Sequence, residues 1–150
     1  MKIPRDLTGI ARAAALAVGL AGSLSLAFLV SPAQAQGMRA EVGRPLQQAS
    51  ELLKAGRAKE ALAKVREADA VGGKTGAEQL TIDRMKAAAA QRAGDSATAI
   101  QALESVHGKV GGTEAGQVAE QLASAYAQQR NNGRATEWLN RAIAAGNTGG

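Results

Sequence analysis

Val71-Gly72-Gly73-Lys74-Thr75-Gly76-Ala77-Glu78 joins a helix stop to a helix start. The glycine pair ends an apolar run at helical spacing. Thr75, with Glu78 three positions on, has the form of a capping box, in which hydroxyl and carboxylate satisfy orphan backbone amides reciprocally. The same punctuation returns at Val110-Gly111-Gly112-Thr113 and at Thr148-Gly149-Gly150, 39 and then 38 residues further along. A period of this length marks stacked supersecondary units. A second marker keeps step with the first: small Ala61, Ala99 and Ala135, each followed four residues later by apolar Val65, Leu103 and Leu139.

Each unit divides into two helices. Pro45 is expected in an opening turn, with Leu46, Ala49, Leu52 and Leu53 as the buried face before Gly56 breaks the run. Ala58, Ala61, Leu62, Val65 and Ala68 give the partner its stripe. In the second unit the stripes are Ile82, Met85 and Ala89, then Ala99, Ile100, Leu103 and Val106, with Gly94 closing one helix and Asp95 capping the next. The third has Thr113 as cap, Val118, Leu122, Ala125 and Tyr126 as one face, and Asn131-Asn132-Gly133 as the turn. Its last stripe is Ala135, Trp138, Leu139, Ala142 and Ile143. The expectation is an all-α fold of six helices in three antiparallel pairs, divided at about 43–74, 75–112 and 113–146, after a flexible stretch at 36–42 and before a Gly-rich tail at 147–150.

Composition agrees. Ala, Gln, Glu, Lys, Leu and Arg dominate while aromatics are only 2% of the chain, which favours helix over strand and a closely packed Ala/Leu core. Apolar content of 45% is too high for a disordered chain. With no cysteine, disulfides, thiolate metal sites and a thiol nucleophile are excluded. The net charge is +5, but part of it lies in the first 35 residues; the remainder carries 15 basic against 12 acidic residues, too even a balance for a nucleic-acid binder on charge alone.

Those first residues read as a signal peptide. Lys2 and Arg5 precede the apolar run Ala13–Val30, and Ala33-Gln34-Ala35 supplies the small-x-small cleavage pattern before Gln36. The alternative is a retained inner-membrane anchor, since the run could extend about 27 Å as a helix. Gly19, Gly22, Ser23, Ser25 and Pro32 favour cleavage and release to the periplasm. Without an Arg-Arg pair, export through the general pathway is expected. Nothing after Val30 is apolar enough to span a membrane.

Gly56-Arg57-Ala58-Lys59-Glu60-Ala61-Leu62 and Gly94-Asp95-Ser96-Ala97-Thr98-Ala99-Ile100, with small Ala49, Ala87 and Ala123 on the first helices, resemble tetratricopeptide repeats. The resemblance covers about residues 43–146 and is to exported, periplasmic members. It departs from the family in lacking the first-helix Trp and Leu-Gly and a closing Pro, and in the extra length of its Gly-Gly loops. It implies a short stacked solenoid that binds a protein or peptide, with Ser50, Lys54, Arg84, Gln91, Arg92, Gln117, Glu120, Ser124 and Gln128 lining a groove. Lys54, Arg84 and Arg92 would make that groove mildly basic and suited to an acidic peptide; ordinary solvated faces explain the same residues. The asparagines of the family's carboxylate clamp are absent.

No catalytic, cofactor or metal site is expected. Ala68 to Thr75 satisfies a loose phosphate-loop pattern ending in Lys74-Thr75, but that loop needs a preceding strand, and Ala58–Asp69 reads as helix. His107, the single histidine, lacks metal partners and suits the last turn of its helix. Trp138 and Ala142 are expected on an exposed C-terminal face, where a further unit would begin in a longer array. The alternatives to a binding module are a self-assembling envelope unit, which would be a homo-oligomer, or the N-terminal part of a longer repeat array.

Overall fold

The structure, a computed structural model, describes residues 37–146. The expected leader with its expected cleavage point, and the expected tail at 147–150, lie outside the described residues. Six helices follow in order: α1 (Ala40–Lys54), α2 (Ala58–Asp69), α3 (Gly76–Ala93), α4 (Ser96–His107), α5 (Gly112–Gln128) and α6 (Asn132–Ala144). No strand occurs among the described residues.

The connections at 55–57, 94–95 and 129–131 are too short to do anything but turn the chain back, so α1 packs on α2, α3 on α4 and α5 on α6 as hairpins. Gly94 makes the tightest of these turns in the left-handed region at φ 75, and the Asp95 carboxylate then accepts the Thr98 N–H to cap α4. The capping box at Thr75 is formed: its hydroxyl accepts the Glu78 N–H at 3.1 Å and the Glu78 carboxylate accepts the Thr75 N–H at 2.9 Å.

Hairpins join through two apolar clusters. Val42, Leu46, Ala49, Ala61, Leu62, Val65, Ile82 and Ala89 form the first, and Ile100, Leu103, Val106, Val118, Leu122 and Trp138 dominate the second. Each large aliphatic side chain removed from water there contributes about 1.5–3 kcal/mol, and the alanines let the backbones approach closely enough for that contact. The expected stripes of α2 and α4 are buried at every position.

The structure corrects four expectations. α1 starts at Ala40, inside the stretch expected to be a flexible lead-in, because the Arg39 carbonyl already accepts the Val42 and Gly43 amides and Val42 is fully buried. Pro45 therefore lies inside the helix rather than in its first turn, where its missing N–H leaves the Glu41 carbonyl without a helical donor. Thr113 does not cap α5: the cap is Gly111 without a side-chain bond, and Thr113, past the cap position, is already helical.

The fourth concerns α6. Trp138 and Ala142, expected on an exposed face, are buried, whereas Leu139 and Ile143 stand 48% and 52% exposed. The helix is rotated so that the bulky indole, with Ala142 one turn on, fills the space toward α4. There the His107 ring meets the indole edge-on at 4.9 Å between centroids, and the Arg141 guanidinium lies over it at 4.3 Å. The Trp138 Nε1–H is buried without an acceptor.

Candidate functional site

Where the first and second hairpins meet, α3 packs on both α2 and α1; where the second and third meet, α5 packs on α4, but α3 and α5 do not close on each other in the same way. The space left is a depression of about 350 Å³, walled by Gln91 at the end of α3 and by Gln121, Ser124, Ala125 and Gln128 along α5, with Gly94, Ser96 and Ala99 at its floor. Residues 121, 124, 125 and 128 share one face of α5, since neighbours three and four apart on a helix project together.

The sequence repeat explains the opening. Counting from the small residues Ala49, Ala87 and Ala123, the positions held here by Gln91, Ser96, Gln121 and Ser124 are held at the first junction by Leu53, Ala58, Met85 and Ala88. Ala58 is buried, and Leu53 and Met85 pack against the first core cluster. Apolar side chains thus pack one junction, and two amides and two hydroxyls stand in their places at the other. Among the described residues the side chains of Gln91, Gln121, Ser124 and Gln128 have no hydrogen-bond partner, which leaves three amides and a hydroxyl able to donate and accept.

Of the residues expected to line a groove, Gln91, Ser124 and Gln128 come together here. Ser50 and Lys54 belong to α1, remote in sequence from this wall, and Gln117 and Glu120 lie on α5 outside the lining. Two of the three basic residues are already engaged: Arg84 is ion-paired with Glu114, and the Arg92 guanidinium donates to the Leu53 carbonyl at 3.3 Å. The lining is consequently neutral and polar rather than basic. Sequence reasoning missed Gln121 and Ser96, which a repeat-by-repeat comparison with Met85 and Ala58 would have singled out.

A second polar feature, also missed, is internal. The Gln79 side-chain amide donates to Asp69 at 3.1 Å and to Asp83 at 3.0 Å, bridging two carboxylates. Asp69 also pairs with Lys86, and Asp83 accepts from Lys109 and, at 2.6 Å, from the Ser105 hydroxyl. Burial pushes both acids up, but these donors outweigh it and hold both carboxyls below their ordinary range. Acids so fully committed to internal donors lock α2, α3 and α4 together; they are not poised to exchange protons with a substrate.

The loop resembling a phosphate cradle has its own occupation. Lys74 donates to the Asp69 and Val71 carbonyls, the latter at 2.7 Å, closing the C-terminus of α2, while Thr75 caps α3. Among the described residues no group of three or more His, Cys, Asp or Glu could hold a metal ion, and no helix is long and apolar enough to cross a membrane. No protein-family model, curated protein or solved structure matches the chain.

Proposed function

We propose that this chain is an exported, tetratricopeptide-like interaction module whose hairpins stack as a short solenoid and whose α3–α5 depression holds an extended segment of a protein partner. One observation carries this reading. At a junction the molecule demonstrably can seal with Leu53, Ala58, Met85 and Ala88, four polar residues stand instead and leave open a site with unengaged amides. Glutamine amides match the alternating donors and acceptors of an extended peptide backbone, so main-chain hydrogen bonds supply affinity with little dependence on the charge of the bound segment. The neutral lining argues for an uncharged segment over the acidic one suggested by Lys54, Arg84 and Arg92. The signal-like leader supports a periplasmic setting for this encounter.

The test is to seal the site with the molecule's own solution. Gln121→Met combined with Ser124→Ala gives the α5 wall the side chains that α3 presents at the first junction, Met85 and Ala88. Proteins captured from envelope extract by the wild-type chain are expected to be lost from the variant, with helix content by circular dichroism unchanged. Equal capture by the two proteins would remove the depression from consideration as the binding site.

A further inference from the structure

We propose that the outer face of α6 is a self-association surface, on which Leu139 and Ile143 pack against the same two residues of a second copy of this chain. The repeat supplies the argument. Leu139 occupies the position held by Val65 in the first unit and Leu103 in the second, and those two are 0% and 3% exposed. Val65 is buried in one cluster with Ile82 and Ala89 of α3, and Leu103 in one with Val118 and Leu122 of α5. The same surface on α6 keeps its apolar residue at 48% exposure, with Ile143 beside it one turn on, where the second unit has His107 and the first Asp69. The third unit has thus gained an outward apolar residue at the one place where no described residue covers it.

The face is also free of charge. At 3.6 residues per turn, Asn132, Thr136, Leu139, Asn140 and Ile143 fall on one side of α6, while Arg134, Glu137 and Arg141 fall on the other and pair among themselves. An uncharged face with Leu139 and Ile143 at its centre meets its own copy without like-charge repulsion, and the exposed Asn140 amide can both donate to and accept from its equivalent.

Head-to-tail stacking is disfavoured by the opposite end of the molecule. The α1 positions corresponding to Ile82, Met85 and Ala89 are Arg44, Gln47 and Glu51, all exposed. Docking α1 on α6 would place a guanidinium and a carboxylate over Leu139 and Ile143. A two-fold pairing of α6 with α6 avoids that, and a contact this small belongs to the weak, transient class below about 1,200 Å².

Sedimentation velocity on the protein produced from the full chain is expected to give a monomer–dimer equilibrium at high micromolar concentration. Leu139→Glu, which sets two carboxylates against each other, is expected to raise the dissociation constant at least about tenfold, and Leu139→Met to leave it within about twofold. Because the natural sequence has no cysteine, Ile143→Cys supplies a geometric check: mild oxidation should link it to itself, whereas Arg44→Cys mixed with Ile143→Cys should give no mixed disulfide. A monomer at all concentrations, dimerisation unaffected by Leu139→Glu, or preferential linkage of residue 44 to residue 143 would each overturn the proposal.

Discussion

The two junctions between hairpins are assembled from corresponding positions and held in different ways. At the first, α1 and α2 both touch α3, and polar ties cross the boundary. The Arg39 guanidinium and backbone N–H reach Glu78, Asp69 takes donors from Gln79 and Lys86, and Arg92 bonds the end of α1. At the second, the apolar contact of α4 with α5 is supplemented by the Tyr126 hydroxyl donating to Glu104 at 2.8 Å and by the exposed pair Arg84–Glu114. Exposed pairs of that kind contribute about 0–1 kcal/mol. One junction is closed by apolar packing and polar ties, and the other keeps an open, polar-lined depression. The difference resides in a few side chains, Leu53, Met85 and Ala88 against Gln91, Gln121 and Ser124, rather than in helix lengths or topology.

The strongest way to break this contrast is to overfill both junctions at the same repeat position. Ala89 is fully buried at the first, and Ala125, its counterpart, borders the depression. Ala89→Leu has nowhere to place three added carbons and should cost about 1–3 kcal/mol, the usual penalty for overpacking. Ala125→Leu can lean into the open space and should cost less than half as much. Urea unfolding of both variants measures this directly, and equal penalties would mean that the second junction is packed as tightly as the first.

Acid should sharpen the contrast from the electrostatic side. Hydrogen bonds from the Arg39 side chain, then from the Thr75 and Arg39 backbone, bring the Glu78 carboxyl down from 4.5 to about 2. A folded-state value below the unfolded one means that the carboxylate stabilises the fold fully above about pH 4.5, and that this contribution is lost as the pH falls toward 2. Asp69 and Asp83, also lowered, lose their contributions in the same direction below the ordinary aspartate range. Thermal melts between pH 7 and pH 2.5 should therefore show wild-type stability falling steeply at the acid end. Glu78→Gln should begin less stable and fall less; a parallel decline would show that Glu78 does not report on the first junction.

What could be read from the sequence follows from what each signal encodes. Apolar spacing of three and four records which way a helix faces, so the stripes of α2 and α4 and the caps at Thr75 and Asp95 were legible one helix at a time. The entry to α1 was not, because it depends on Arg39 finding Glu78 across 39 residues, a pairing no local pattern announces. The α6 face was misassigned for a related reason. Trp138 and Leu139 both belong to the apolar stripe, and only the tertiary fit of the indole against His107 decides which of them turns inward. The depression was half legible: family geometry pointed to Gln91, Ser124 and Gln128, while Gln121 and Ser96 become visible only when units are compared with one another rather than with an external pattern.

The smallest expected effect lies in the turns. Gly56 and Gly94 end the first helices of units one and two at φ 76 and 75, and the corresponding residue of unit three is Arg130 at φ 58, the one non-glycine residue with positive φ among those described. Left-handed backbone costs a residue with a Cβ about 1–2 kcal/mol, and glycine avoids that cost. Glycine also gives the unfolded chain more freedom to lose, which returns about 0.5–1 kcal/mol of the gain. Arg130→Gly is therefore expected to stabilise the protein by about 0.5–1 kcal/mol, detectable as a rise in the urea midpoint with an unchanged slope. The third hairpin would then turn as the first two do, and Gln128, two residues before the turn, would remain in the wall of the depression. Should the substitution destabilise the protein instead, the Arg130 side chain must be contributing to the third hairpin, and its departure from the glycine of the other two units would have to be counted as part of how this end of the molecule is built.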